Sequence, residues 1–453
     1  MLATLVAIVV ANNSASSLAQ PAIQDAFDAG PADVGWIVFG FGSAFAVATA
    51  LWGGLAGRFG LGRCLAVGVT LFAGGSLAAA FAPTLPLLVA ARVVQGAGAG
   101  AVPTLSAAAI SLQFVGPERA RALGTVVAAV GLGLAAGPLL GGVTLELVGW
   151  QGPVAFGLVA APTAVLFVRY PFPSPAGTSL DLRGAGVVAL AVIGLTFAVN
   201  RLPVRGIEPL TLAALVILAL TLPLLVRRSA RPGSFVPRRI VRDPAFTRVV
   251  ALGSVGMSAF LGLLVLVPTV AVRAHGLNGI GLGLVILPLA LVGSVMSVNN
   301  ARVQERIGRR STTLVSLASV VSGGILLAIG GPGLPPALLA LALVPAGIGF
   351  GLLQAPLLNE LTVAFDGPDR AVAVGLYNLA FFLGGSIGAA LSTAIVQAGL
   401  ELAVFDGRIV TGFSTAMLVL AIGPALAVVG LLVGGRRPAR DGRGTRGGRS
   451  PER

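Results

Sequence analysis

The sequence of 453 residues contains no lysine, one cysteine and one histidine. A single cysteine, Cys64, excludes an intramolecular disulfide, and a single histidine, His275, excludes a histidine-rich metal site. Without lysine the chain cannot form the phosphate-binding loop G-x-x-x-x-G-K-S/T, which argues against direct use of ATP. We therefore expect neither a metal nor another cofactor.

Charged residues are also scarce, at 10% of the chain, whereas a soluble globular domain carries about 25%. Hydrophobic residues make up 56%, and the mean hydropathy is +0.97. This composition predicts an all-α polytopic membrane protein, because a helix satisfies its own backbone hydrogen bonds inside a bilayer. Met1 opens directly into apolar sequence without a basic leader segment, so we expect the first span to stay in the mature protein.

Apolar stretches of roughly 20 residues, long enough to cross a bilayer, recur about fourteen times. They lie at 2–22, 34–56, 64–83, 87–112, 121–145, 153–168, 184–201, 209–226, 247–271, 281–300, 311–330, 336–361, 371–396 and 410–433. The connections between them are short, and carboxylates and histidines that could converge in a catalytic site are few. The pattern therefore argues against an enzyme.

The net charge of +14 comes from 30 arginines that lie mostly between the apolar stretches. One alternating set of connections is rich in arginine, and the other holds only Arg201, Arg205, Arg273 and Arg408. By the positive-inside rule we expect the first set and both termini in the cytoplasm of a cell-membrane protein, so nucleic acid is not needed to explain the charge. We expect the most basic connection, 227–246, to lie along the anionic inner leaflet.

The fifth stretch carries a cluster of glycines around a proline. Small residues at this spacing let two membrane helices approach closely, and a proline within a span removes a helical hydrogen bond and predicts a bend. The cluster therefore indicates a closely packed, bent helix, as in a transporter that moves. Its members are Gly131, Gly137, Pro138, Gly141 and Gly142.

Arg92 lies within the fourth stretch, where a charge is costly and usually pairs or faces a cavity. The alternative is a side chain that snorkels to the outer interface. Near the end of the twelfth stretch, Glu360 could couple to a proton gradient if it were buried. The alternative for Glu360 is an interfacial acid that faces Arg370. Trp36 is expected in an interfacial aromatic belt.

Polar residues crowd the first stretch, where Asn12, Ser16 and Gln20 are four apart and share one helical face, with Asn13 beside them. Such a face predicts either a cavity that hydrogen-bonds a small-molecule substrate or hydrogen bonds to another helix. Further polar residues in the second half of the chain are candidate cavity residues, and each could equally be a satisfied packing contact. These are Gln354, Tyr377 and Asn378.

Three segments carry a resemblance to a known family. RVVQGAG (92–98), AAGPLLGG (135–142) and GGLAGRFGLGR (53–63) resemble signature motifs of the major facilitator superfamily. With the fourteen stretches and AQPAIQDAF (19–27), the chain resembles the fourteen-span drug:proton antiporter branch, near the Gram-positive tetracycline and multidrug efflux proteins.

The resemblance implies a monomer of two six-helix bundles with two extra central helices, which exports amphipathic small molecules by alternating access and uses the proton gradient. Its parts would be an N-terminal bundle (1–168), two inserted helices with a basic linker (169–246), a C-terminal bundle (247–433) and a disordered basic cytoplasmic tail (434–453).

The resemblance also implies roles for single residues. Arg92 and Gln95 match a fourth-span motif associated with proton coupling, and the glycine cluster matches an antiporter motif that closes one half against the other. The segment 53–63 and its weaker repeat NARVQERIGRR (300–310) match cytoplasmic gating turns. The residues concerned are Gly53, Arg58, Gly60 and Arg63 in the first turn, and Glu305, Arg306, Gly308 and Arg309 in the second.

Two positions depart from the family pattern. Gly57 stands where the family usually has an aspartate, and Asn12-Asn13 stands where the first span often has an acid. These departures leave open an alternative function, that of an importer or facilitator of a metabolite without ion coupling.

Overall fold

A computed structural model of the chain describes residues 1–114, 116–170, 172, 181–231, 233–277, 279–330, 333–365, 367–399 and 412–434. The described residues form helices and contain no strand, as the composition predicts. The predicted tail 434–453 lies outside the described residues except for Gly434.

The first half of the chain contains ten helices and one 3₁₀ turn, Phe156–Ala160. The helices are α1 (Leu2–Leu18), α2 (Gln20–Phe27), α3 (Pro31–Val34), α4 (Trp36–Phe59), α5 (Leu61–Ala80), α6 (Leu85–Ala99), α7 (Ala101–Gln113), α8 (Gly116–Val148), α9 (Gln151–Ala155) and α10 (Ala161–Arg169).

The remainder of the described chain contains ten more helices. They are α11 (Leu182–Arg205), α12 (Pro209–Ser229), α13 (Arg238–Val241), α14 (Pro244–His275), α15 (Gly279–Ile307), α16 (Arg309–Gly330), α17 (Pro336–Ala342), α18 (Val344–Ala364), α19 (Gly367–Gln397) and α20 (Phe413–Gly434).

The count of fourteen membrane-crossing helices that the sequence predicts is not confirmed in the described part of the chain. By length and hydropathy, 11 helices of the described chain are long and apolar enough to cross a membrane, and up to 13 if each bent pair counts as one span. The bent pairs are α1 with α2, at 53°, and the two parts of α4, at 46°. The predicted seventh span corresponds to the shorter apolar helix Arg183–Val199 within α11.

The buried apolar side chains fall into three clusters. Two of them come entirely from the first 172 residues, including Phe72 and Phe167 in one and Ile23 in the other. The third comes almost entirely from residues after 184 and includes Val188 and Val192 of α11. The two halves of the chain meet where α8 packs on α15 and where α4 packs on α19.

Two basic turns occupy similar places in the two halves. Gly60 joins α4 to α5 with a φ of 89°, and Gly308 separates α15 from α16 with a φ of 80°. Such positive φ values favour glycine because a Cβ would clash with the backbone. The predicted turn arginines, Arg58, Arg63, Arg306 and Arg309, are exposed, as are Gly53 and Glu305. We call this side of the molecule the arginine-rich end, and the side where α4 begins the Trp36 end.

Candidate functional site: a central cavity and a buried arginine

A cavity of about 1360 Å³ lies between the two halves of the chain. On one side its wall comes from α1, α2, α4, α7 and α8, and on the other from α14, α15, α18 and α19. One residue of α11, Arg201, and one of α16, Arg309, also line it. A large, largely apolar concavity with a few polar groups is the usual form of a small-molecule site.

The wall of this cavity combines aromatic rings with uncharged polar groups. Its aromatic residues are Trp36, Phe39, Phe41, Phe45, Phe260, Phe350, Phe381 and Phe382. Among the described residues that line it, only Arg201, Glu305 and Arg309 are charged. Arg201 lies at the Trp36 end, and Glu305 and Arg309 lie at the arginine-rich end, so the middle of the wall is uncharged.

Arg92 of α6 is completely buried behind this wall. Its Nε donates to the carbonyl of Ile37 at 3.3 Å, and its Nη2 donates to Asn13 Oδ1 at 3.1 Å. Its Nη1 donates to Gln95 Oε1 and, at 3.5 Å, to Asn12 Oδ1. The predicted alternative of a snorkelling arginine is therefore wrong, because the side chain points into the protein.

The oxygens that surround Arg92 are all uncharged. A buried charge without a paired anion is expensive unless hydrogen bonds and dipoles replace its hydration. Here carbonyl oxygens do so, together with the face of the Phe41 ring, whose centroid lies 4.5 Å from the guanidinium carbon.

Gln95 and Asn12 extend these contacts into a network. Gln95 Nε2 donates to Asn12 Oδ1 at 2.9 Å and to Ser76 Oγ of α5. Asn12 Nδ2 donates to the carbonyls of Pro153 at 3.1 Å and Val154 at 3.3 Å in α9. The network therefore joins α1, α5, α6 and α9, and brings the predicted pair Arg92 and Gln95 together.

The predicted polar face of the first span divides into two groups. Asn12 and Ser16 are fully buried, and Ser16 Oγ donates to the carbonyl of Asn12 at 2.7 Å. The prediction that these two line the cavity is wrong for this structure, because their face of α1 packs against α9. Asn13 and Gln20 do line the cavity. Gln20 leaves the shared face because the chain bends by 53° after α1.

The predicted polar residues of the second half divide in the same way. Gln354 and Asn378 line the cavity, whereas Tyr377 is fully buried away from it, against Gly253 and Phe381. Tyr377 cannot share the orientation of Asn378, because neighbouring residues on an α-helix point about 100° apart. The prediction of Tyr377 as a cavity residue is therefore corrected.

Glu360 lies at the arginine-rich end of α18, outside the cavity wall. It accepts hydrogen bonds from Arg248, at 3.1 Å from Nε, and lies 3.9 Å from Arg309 Nε. This position agrees with the interpretation as an interfacial acid, with Arg248 as its partner in place of the expected Arg370. Arg370 donates from Nε to the carbonyl of Phe365 at 3.0 Å.

The glycine cluster of α8 faces two different neighbours. A Cβ added at Gly137 would lie 2.5 Å from Ser14 Cβ, and one at Gly141 would lie 2.8 Å from Ala15 Cα, both in α1. Gly131 instead packs against Ser294 of α15, whose Oγ donates to the carbonyl of Ala128 at 3.3 Å. Only Gly131 of these three therefore closes one half of the chain against the other.

The two other members of the cluster are Pro138 and Gly142. Pro138 lines the cavity, and Gly142 is buried. α8 continues through Pro138 as one helix of 33 residues, so the proline does not end it.

The sequence did not predict the contacts of several residues of the site. Trp36 packs on α11: its ring centroid lies 3.8 Å from that of Phe197, and the Arg201 guanidinium carbon lies 5.7 Å from it. Arg201 also pairs with Glu208. The spacing of Phe197 and Arg201, four apart on one helical face, was the available signal. The contribution of Ser76 depends on how α5 packs, and no sequence pattern indicates it.

Comparison with known proteins agrees with this architecture. The sequence profile of the Major Facilitator Superfamily matches residues 1–389. Among similar proteins is the "Drug efflux pump JefA" of Mycobacterium tuberculosis, 28% identical over 86% of this chain and 78% of its own length. The "Multidrug resistance protein Stp" of the same species is also 28% identical, over 85% of this chain and 73% of its own length.

Solved structures show the same fold. The proton:xylose symporter XylE of E. coli superposes with a TM-score of 0.67 at 17% identity, and the match covers 95% of this chain and 94% of XylE.

Proposed function

Because the chain belongs to the Major Facilitator Superfamily, we propose that it is a secondary exporter of amphipathic small molecules that works by alternating access, driven by proton antiport. The observation that carries the proposal is the central cavity, whose wall joins aromatic rings to uncharged polar groups. Such a wall suits ligands with an apolar body and a few polar groups. The names of the relatives, a drug efflux pump and a multidrug resistance protein, favour export.

Alternating access is supported by where the two halves touch. The cavity lies between them, and the contacts of α8 with α15 and of α4 with α19 border it. Rocking of one half against the other about such contacts would open the cavity at either end in turn. Gly131, which lets α8 approach Ser294 closely, lies at one of these contacts.

For proton coupling, Arg92 and Gln95 remain the proposed positioning residues. Glu305 joins them, because it is the only carboxylate among the described residues that line the cavity. Glu360, which pairs with Arg248 outside the cavity, fits a structural role better. We place the arginine-rich end in the cytoplasm, where the basic linker would meet anionic lipids, and the active unit is a monomer.

The test begins with a drug-susceptibility panel in an efflux-deficient bacterial host that expresses the chain. Compounds to which the host becomes resistant are then followed into inverted membrane vesicles with an imposed pH gradient. We expect uptake that a protonophore abolishes and that Glu305→Gln reduces at least tenfold. Glu118→Gln, an exposed acid outside the cavity, is the matched control. Uptake that ignores the protonophore would remove proton coupling from the proposal and leave export standing.

A second candidate is an ion-independent facilitator or importer of a metabolite. The favouring observation is that Arg92 hydrogen-bonds only to uncharged oxygens, in a network whose amide groups do not change protonation state near neutral pH. Counterflow of substrate between vesicles at equal pH on both sides would support this candidate. An obligatory proton movement with each substrate would eliminate it.

A further inference from the structure

Two polar atoms on side chains of the cavity wall have no hydrogen-bond partner within the described chain. They are Thr104 Oγ1 of α7, from the first half, and Asn378 Oδ1 of α19, from the second half. Buried polar groups are nearly always paired, and an unpaired one costs about 1–3 kcal/mol. A pair of such atoms beside one cavity therefore points to a partner that the protein itself does not supply.

Measured along α4, the two atoms lie within about one helical turn of the same depth. Gly96 of α6 packs against Phe41, and Gly100 packs against Phe45 and Thr49, so this part of the chain runs parallel to α4. One further turn, four residues or ~6 Å, brings Thr104 just beyond Thr49.

On the other side of the cavity, α19 runs antiparallel to α4. Gly42 of α4 faces Ser386 of α19, and the rings of Phe45 and Phe382 meet edge to face with centroids 4.8 Å apart. One turn from Phe382 toward the arginine-rich end is Asn378, again ~6 Å away and close to the level of Thr49. Thr104 and Asn378 thus lie one turn below an aromatic contact that joins the two halves.

We infer that Thr104 and Asn378 form a two-sided polar site, which binds an uncharged hydroxyl or amide N–H of a ring-containing substrate that packs beside Phe45 and Phe382. This inference rests on the proposed function and names a substrate class for the same cavity. Both side chains line the cavity, whereas the two polar atoms are buried behind its surface. Binding therefore requires a change of χ1 in Thr104 and of χ2 in Asn378, which turns each polar atom toward the ligand.

The hydrogen-bonding chemistry of Thr104 and Asn378 determines which ligand groups can bind between them. An amide oxygen such as Asn378 Oδ1 can only accept, so the ligand must donate, whereas the Thr104 hydroxyl can donate or accept. A charged ligand group is disfavoured at this depth, because the middle of the wall offers no opposite charge among the described residues. The best ligand therefore carries a hydroxyl or N–H next to a carbonyl, on an apolar ring system.

The test compares each hydroxyl-bearing compound that the wild-type protein transports with its O-methyl derivative. Methylation removes the donor and keeps the rings, so we expect the KM of the wild-type protein to rise about tenfold, as for the loss of ~1.4 kcal/mol. Thr104→Val and Asn378→Leu should each raise the KM for the hydroxyl compound and reduce the difference between the two compounds to less than twofold.

Matched controls separate the polar groups from general damage. Thr49→Val removes a hydroxyl at the same depth that donates to the carbonyl of Ala46 and does not line the cavity. Asn299→Leu removes an amide group outside the cavity, which donates to the carbonyl of Val295. Both should keep the tenfold discrimination, and a discrimination that Thr104→Val and Asn378→Leu also keep would overturn the inference while leaving export intact.

A failure of the proposed function gives a different result. If the wild-type protein transports no compound of the panel, export itself fails, and binding is measured on the purified chain in lipid nanodiscs with 2-naphthol and 2-methoxynaphthalene. Tighter binding of 2-naphthol that Asn378→Leu removes would support the polar site on its own. Equal binding of the two probes to the wild-type protein would overturn it.

Discussion

Arg92 keeps its charge inside the protein by contacts with amides and a ring, where an acid would have been the simpler partner. Asn13 is the link between this network and the cavity, since it accepts from Arg92 Nη2 and also lines the wall. A ligand that formed a hydrogen bond with the Asn13 side chain would therefore change the hydrogen bonding of Arg92 directly. We therefore expect a substitution of Arg92 to affect the stability of the protein and a substitution of Asn13 to affect the coupling of transport to protons.

Arg92→Lys should lower the thermal stability of the purified protein. A lysine ammonium cannot reach the carbonyl of Ile37, Asn13 and Gln95 in one plane as the guanidinium does, and each acceptor left unpaired costs about 1–3 kcal/mol. We expect a melting temperature several degrees lower by size-exclusion thermostability assay. Arg63→Lys, at an exposed position, is the control and should melt like the wild type. Equal melting of both variants would show that the network adds no stability.

Asn13→Asp should make transport more dependent on pH. The new carboxylate would face Arg92 and the cavity together, so its protonation would change the charge of the wall. The measurement is initial uptake rate between pH 5.5 and 8.5 in vesicles without a pH gradient. Asn299→Asp, outside the cavity, serves as control, and identical pH profiles for both variants would contradict the expectation.

For single residues, the sequence predicted which side chains belong to the site better than it predicted which way they point. The motif indicated that Arg92 and Gln95 belong together, and the structure places them in contact. It could not tell that Asn12 turns to α9 while Asn13 turns to the cavity, because the rotation of a helix about its axis depends on what its neighbours bury. Thr104 was missed because a single hydroxyl in an apolar stretch usually satisfies itself within its own helix.

Among the elements, α8 is the one whose glycines serve two interfaces. Gly137 and Gly141 hold it against α1 within one half, and Gly131 brings it against α15 of the other half. The motif alone indicates close packing and does not reveal which helix is the partner. Similarly, the bends between α1 and α2 and within α4 leave hydropathy unchanged, so no hydropathy pattern predicts them.

Alanine substitutions should separate the two interfaces. Gly137→Ala places a Cβ 2.5 Å from Ser14 Cβ inside one half, so we expect lower thermal stability. Gly131→Ala meets Ser294 Oγ across the interface, so we expect slower transport with little change in melting temperature, measured on the same preparations.

Two further variants check this reasoning. Ser294→Ala removes the oxygen that the new methyl group meets, so the double variant Gly131→Ala/Ser294→Ala should regain part of the transport rate. Gly74→Ala, where an added Cβ meets nothing within 4 Å, should behave like the wild type in both assays. A double variant as slow as Gly131→Ala alone would argue against a steric cause at this contact.

On the scale of the whole molecule, Asp181 attaches the basic linker to the helices. It accepts from the backbone N–H of Gly184 at 2.8 Å and of Phe235 at 3.3 Å, and from Arg228 at 2.9 Å. Burial alone would raise the pKa of this carboxyl, but the two backbone hydrogen bonds and Arg228 outweigh it and lower the pKa below its usual value.

The attachment of the linker should therefore weaken in acid. A carboxyl whose pKa is lower in the folded state stabilises the fold above its unfolded pKa of about 3.9, and this stabilisation is lost as the pH falls through the lower folded pKa. We expect pepsin cleavage beside Phe235 to be slower in the wild type than in Asp181→Asn at pH 4.5, and the two rates to converge toward pH 2.5. Equal rates at pH 4.5 would contradict this.

α11 touches both halves of the molecule: Phe197 packs on Trp36 of α4, and Val188 and Val192 join the cluster of the second half. In the proposed alternating access, opening of the cavity at the Trp36 end would separate α11 from one of the two halves. α11 therefore adds a mechanical resistance that a transporter of two bundles alone would lack. In kinetic terms, we expect this resistance to reduce both the leak of ions and solutes through the idle protein and the maximal turnover.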